Sequence, residues 1–168
     1  MVVTVESYLQ AFLFILPAMF ANAIPVVFKG TRPIDGGRLF LDGRRILGDG
    51  KTWEGLMSGI SAGSLVGGVL ALILEDPLYA YAGVFSSLGA MSGDLVSSFL
   101  KRRIGLKRGA PAPLLDQLNF YVGAIAFLYL AKFRFSLEVV IVLGVISGLA
   151  HFLANALAYA LKLKEVPW

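Results

Sequence analysis

Apolar positions fall in long uninterrupted blocks. Uncharged stretches run from Ser7 to Phe28 (22 residues), Gly55 to Leu74 (20), Pro77 to Leu100 (24, broken once by Asp94), Gln117 to Ala131 (15) and Val139 to Leu161 (23). A helix that crosses a hydrocarbon core of about 30 Å needs about 20 mostly apolar residues. Four blocks reach that length directly. The block at 117–131 reaches it only if Leu114 and Asp116 join one end and Phe133 the other. The pattern predicts an all-α integral membrane protein: one membrane domain of five transmembrane helices at about 5–28, 55–74, 77–100, 114–133 and 137–161. Ala21-Asn22-Ala23 has the small-x-small form of a signal cleavage site. The residues ahead of that run carry Glu6 and no Lys or Arg, so the run is read as a first helix rather than a signal peptide.

The charged residues sort by side. The connection 29–54 carries six basic residues, Lys29, Arg32, Arg38, Arg44, Arg45 and Lys51. The connection 101–113 carries five, Lys101, Arg102, Arg103, Lys107 and Arg108, and the C-terminal tail adds Lys162 and Lys164. Five spans put all of these on one side and leave only Lys132 and Arg134 on the other. The positive-inside rule then predicts two basic cytoplasmic loops, an N-terminus outside and a C-terminus inside. Composition agrees: 57% of the residues are hydrophobic and only 15% charged, against about 25% charged in soluble domains. The net charge of +4 follows from topology and is no sign of nucleic-acid binding. No cysteine is present, which excludes disulfides, thiol nucleophiles and thiolate metal sites.

Glycines at 55, 59, 63 and 67 form a stripe along the second helix. Such a stripe lets another backbone approach closely, within a bundle or across a homodimer. Polar residues cluster near one membrane face. Asn22, Asp94 and Asn155 each precede a helix-terminal lysine (Lys29, Lys101, Lys162) by seven residues, so they are expected at similar depth. Asp94, Ser97, Ser98 and Lys101 share a helix face, as do Asp116 and Asn119. A carboxylate inside a membrane helix costs about 2.5–3.5 kcal/mol on insertion scales and usually marks a site. Two carboxylates flanking a loop rich in Lys and Arg suit Mg²⁺ and phosphate, because Mg²⁺ takes one or two carboxylates and completes its shell with substrate phosphates. His151, one turn before Asn155, reads more simply as a structural hydrogen-bonding group.

Gly48-Asp49-Gly50-Lys51-Thr52 is not a P-loop, since the first glycine of that motif would fall on Arg45. Gly50-Lys51-Thr52-Trp53-Glu54-Gly55 instead resembles the G-K-T-W-[EQ]-G segment of the integral-membrane CTP-dependent cytidylyltransferases, the CDP-diacylglycerol synthases. Gly93-Asp94-Leu95-Val96-Ser97-Ser98-Phe99-Leu100-Lys101-Arg102 is similar to that family's G-D-L-x-x-S-x-x-K-R, and Gly105-Leu106-Lys107 to its G-[IL]-K. Asp116 stands at the first Asp of its D-R-x-D. The family's H-G-G is missing, and Gln117 and Asn119 replace the Arg and the second Asp. These departures, with Pro33-Ile34-Asp35-Gly36-Gly37-Arg38, are similar to the archaeal ether-lipid branch.

The resemblance implies that CTP reacts with 2,3-bis-O-geranylgeranylglycerol 1-phosphate, a geranylgeranylated glycerol phosphate lipid, with Mg²⁺ as cofactor. The products are the CDP-activated lipid and pyrophosphate. It implies Asp94 and Asp116 as metal ligands, with Lys101 beside them in catalysis. Lys51, Arg102 and Arg103 then hold phosphate, and Asn22, Thr52 and Ser97 complete the substrate contacts. Asp35 and Asp49 read equally well as solvated loop residues. A transporter is disfavoured because the polar residues are confined to one leaflet rather than the midplane. The signatures of CDP-alcohol phosphotransferases and prenyltransferases are absent.

Overall fold

The computed structural model describes residues 2–5, 7–28, 30–106, 110, 112 and 114–162. The basic residues Lys29, Lys107, Arg108 and Lys164 lie outside them. Five helices follow in order: α1 (Tyr8–Val27), α2 (Trp53–Ile73), α3 (Leu78–Arg103), α4 (Leu115–Leu130) and α5 (Leu137–Ala160). Among the described residues α1, α2 and α5 are each long and apolar enough to cross a membrane. α3 has the length, at 26 residues, but carries Asp94 and ends on Lys101-Arg102-Arg103. α4 is short, at 16 residues.

The chain is not wholly α. Val3–Val5 (β1) and Phe133–Phe135 (β2) pair in parallel, Val3 opposite Phe133 and Val5 opposite Phe135. Phe133, expected to lengthen the fourth helix, lies in β2 instead. Lys132 takes a left-handed φ of 68°, which ends the helix, and the alternating Phe-Arg-Phe then suits a strand with one buried face. Val5 and Phe133 are fully buried there. The pairing places the chain's start beside the α4–α5 connection, at the opposite end of the bundle from the connection between α1 and α2.

The glycine stripe is used up inside the chain. α2 wedges between α1 and α3. A Cβ on Gly59 would lie 2.6 Å from both the Ala21 carbonyl oxygen of α1 and the Met91 sulfur of α3. On Gly67 it would lie 2.6 Å from Gly83 Cα. The stripe therefore builds the bundle and is not available to a second copy. α5 sits at the edge. Val139, Leu143, Ser147 and Asn155 are buried, while Ile141, Val145, Leu149, Leu153 and Leu157 point outward at the same spacing. That outward stripe is what a lipid-facing helix presents.

Candidate active site

Two glycines of α3 decide where its carboxylate sits. Cβ atoms on Gly89 and Gly93 would collide with the backbone carbonyl oxygens of Gly123 and Asn119, so α3 and α4 touch backbone to backbone. Asp94, next to Gly93, is thereby held against α4: Asn119 Nδ2 donates to Asp94 Oδ1 at 3.4 Å. The other oxygen, Oδ2, accepts from Lys51 Nζ at 2.6 Å. Lys51 arrives from the α1–α2 loop, 43 positions away in sequence. One turn below Asn119, Asp116 pairs with Lys101 at the last turn of α3, and Asp116 Oδ2 accepts from Ala112 N at 2.9 Å. Each of this second pair stands at the helix end that favours its charge, the acid at the start of α4 and the base at the finish of α3. Two lysine–carboxylate pairs, one amide and the buried Ser97 thus gather at one end of the α3–α4 seam.

The loop that delivers Lys51 is folded back on itself. Ile34 N donates to Lys51 O and Trp53 N to Arg32 O, while Phe40 N donates to Arg44 O and Ile46 N to Arg38 O. Asp35 is its hub. Its side chain is buried and accepts from Arg45 Nη2 at 2.6 Å, from the backbone N–H groups of Leu47 and Gly48 at 2.9 Å each, and from Gly37 N at 3.1 Å. The Arg45 guanidinium and these N–H donors hold the carboxyl well below the usual carboxylate range, against the opposing effect of burial. Asp35 is therefore a loop organiser, not a solvated surface acid, while Asp49 pairs with the outer side of Arg45 at 2.7 Å.

A second set of arginine bonds ties the loop to α3. Arg44 Nη1 donates to the Arg103 carbonyl at 2.6 Å, at the end of the helix where free carbonyls collect. Arg103 returns the contact, donating to Arg45 O and Asp42 Oδ1 at 2.5 Å each. Its guanidinium lies 4.7 Å from the centre of the Phe40 ring and 4.9 Å from that of Phe99.

The candidate residues thus divide. Lys51, Asp94, Lys101 and Asp116 come together, with Ser97 on the same face of α3. Thr52 is buried and caps α2, its hydroxyl accepting from Gly55 N at 3.2 Å. Arg102 has a buried Nε with no hydrogen-bond partner among the described residues, as has Arg103. Arg103 is engaged in the loop clamp. Asn22 is found elsewhere, on His151: Asn22 Nδ2 lies 2.9 Å from His151 Nδ1, and Asn155 Nδ2 2.8 Å from His151 Nε2. Phe120 stacks on the His151 ring at 5.4 Å. Asn119 is the contact to Asp94 that sequence reasoning left unassigned. The signal for it was Gly89-x-x-x-Gly93 facing Gly123, a close-approach pattern overlooked beside the longer stripe on α2.

The family model of CDP-archaeol synthases (CarS-like) matches residues 4–168. The chain belongs to the CDP-archaeol synthase family. A CDP-archaeol synthase of Aeropyrum pernix is 48% identical over 164 residues, covering 98% of this chain and 94% of its own. One from Hyperthermus butylicus is 51% identical over 162 residues, with 95% and 96% covered. A solved structure described as an intramembrane enzyme for archaeal membrane lipids biosynthesis superposes with a TM-score of 0.86. It is 46% identical and covers 90% of this chain and 96% of that one. Membership of the CDP-archaeol synthase family makes the chain a multi-pass membrane enzyme, a transferase of lipid biosynthesis, as the two motifs on the α1–α2 loop and α3 led us to expect.

Proposed function

We propose that the chain transfers CMP from CTP to the phosphate of 2,3-bis-O-geranylgeranylglycerol 1-phosphate, yielding the CDP-activated ether lipid and pyrophosphate. The observation that carries this reading is the pair of lysine–carboxylate contacts, Lys51–Asp94 and Lys101–Asp116, at one end of the α3–α4 seam. This end carries the basic residues of both loops, so it faces the cytoplasm of the cell membrane, with the N-terminus outside and the C-terminus inside. CTP reaches it from the cytosol. The lipid brings its phosphate at the headgroup plane while its chains stay among membrane lipids.

The reaction forms a bond from a lipid phosphate oxygen to the α-phosphorus of CTP and breaks the bond from that phosphorus to the β-phosphate oxygen. The nucleophile is already an anion, so the protein's task is positioning and charge stabilisation. Lys51 and Lys101 are held beside the reacting end by single carboxylates and can turn to phosphate when it arrives. Arg102, at the last turn of α3, offers a further cation for phosphate. Ser97, one turn from Asp94 on α3, and Thr52, next to Lys51, complete the substrate contacts of this reading.

The carboxylates fit Mg²⁺ in kind: Asp94 and Asp116 offer hard oxygen donors along the α3–α4 seam, while the Asn119 amide turns its nitrogen to Asp94. No group of three or more His, Cys, Asp or Glu side chains able to hold a metal ion is found among the described residues, so Asp94 and Asp116 would hold the ion together with substrate phosphate oxygens. Mg²⁺ bound there supplies charge neutralisation of the triphosphate.

The test is a turnover assay on purified protein with radiolabelled CTP, Mg²⁺ and either the geranylgeranylated ether phosphate or an ester phosphatidic acid. Label entering the organic phase with the ether lipid alone is the expected result. Label with both lipids removes the substrate claim but keeps the chemistry, and no label with either overturns the reading.

A further inference from the structure

The α1–α2 loop carries a feature that the transfer chemistry does not use. Its tip, Leu39-Phe40-Leu41, is apolar and stands out of the fold. Leu41 is 96% exposed and Leu39 61%. The tip is also well defined in shape. Leu39 bridges Arg45 across the hairpin, Gly43 N donates to Phe40 O at 2.9 Å, and Gly43 makes the turn with a φ of 74°. A shaped loop that spends three consecutive apolar residues on its exterior is presenting them to something.

The occupant follows from where the tip is fastened. Phe40 packs edge-on against Phe99 of α3, ring centres 5.2 Å apart, and the Arg103 clamp holds it there. Phe99 and Arg103 lie beside an outward stripe on the same helix, Val96, Leu100 and Ile104, each well exposed and each four residues from the next. In a membrane-spanning helix that stripe faces lipid, and it runs to the helix end where the tip is attached. Leu39 and Leu41 continue it beyond the helix. Arg38, exposed beside the tip, suits the anionic headgroups of a membrane surface.

We propose that Leu39-Phe40-Leu41 dips into the headgroup and upper acyl region of the bilayer beside the end of α3, as an interfacial anchor for the loop that carries Lys51. The anchor stands on its own, independent of which nucleotide or lipid the site transforms. Its consequence for any lipid reaction is that the loop is held at the depth where a lipid phosphate lies.

The chain has no cysteine, so Leu41→Cys and Leu39→Cys each create a unique thiol. Thr31→Cys, at an exposed position of the same loop away from the tip, serves as the aqueous reference. Each variant is assembled into lipid nanodiscs holding one copy, which leaves both membrane faces open and removes contact between copies. A charged, membrane-impermeant maleimide is then added. The thiolate is the reacting form, and an interfacial, poorly hydrated position suppresses it. The expected result is modification at positions 41 and 39 slower than at 31 by about fivefold or more, with the difference lost on denaturation. A smaller difference at both tip positions, or one that survives denaturation, overturns the proposal. Since both leucines are exposed in the fold, slow reaction cannot come from burial within the protein.

Discussion

Two polar seams cross this membrane domain, and they differ in kind. At the α3–α4 seam, backbone-to-backbone contact through Gly89, Gly93 and Gly123 brings together two carboxylates and two lysines. At the junction of α1 with α5, the polar residues Asn22, His151 and Asn155 are joined as amide–imidazole contacts, covered by Phe120. Burying hydrogen-bonded amides and an imidazole in hydrocarbon costs modestly. Burying charges costs far more and is kept where they have chemistry to do. The first seam is therefore where we propose the reaction, and the second ties α1 to α5 through hydrogen bonds.

The largest effect expected from breaking this contrast is at Asp94. Asp94→Asn keeps the shape but removes the charge that faces Lys51. It should lower turnover by about a hundredfold or more, with the melting temperature in detergent shifted by less than about 4 °C. Turnover near that of the wild type removes Asp94 from the chemistry.

Gly93→Ala probes the same seam through its spacing. The added methyl overlaps the Asn119 carbonyl oxygen, and overpacking of this kind costs about 1–3 kcal/mol. Thermal melting and turnover should fall together, because the contact that packs the helices also sets Asp94 against α4. A lower melting temperature with unchanged turnover shows that the seam does not position the site.

The smallest effect belongs to the second seam. His151→Phe keeps an aromatic ring beside Phe120 and removes the two amide contacts. Interhelical hydrogen bonds in membranes average about 0.6 kcal/mol, so the loss should be about 1 kcal/mol in stability, with turnover within about threefold of wild type. A loss of turnover approaching that of Asp94→Asn brings the imidazole into the reaction and erases the distinction between the seams.

Much of this was legible before any coordinates. Uncharged runs are long and their ends are charged, so the helix blocks could be counted from hydrocarbon thickness. Asp94 and Asp116 stood out because a carboxylate in such a run is costly. Less legible were the short elements and the close approaches. β1 and β2 are three residues each and pair across 130 positions, so neither has a periodicity of its own to read. Asp35 and Arg103 illustrate the same limit. From residue type and neighbours, Asp35 read equally well as a solvated loop residue and Arg103 as a phosphate-binding cation. In the fold each also gathers contacts from backbone groups, which carry no sequence signature.

Sequence by itself determined the solvent this protein lives in and the chemistry it carries. Both depend on side-chain type summed over windows of a helix length, and the hydrophobic effect and the price of buried charge act on those sums directly. Tertiary structure decided which residues meet. The meetings of Lys51 with Asp94, of Asn119 with Asp94, and of the loop with Arg103 depend on how closely two backbones approach. That distance is set by where glycines from different helices happen to face each other, a property of the packed bundle rather than of any one segment.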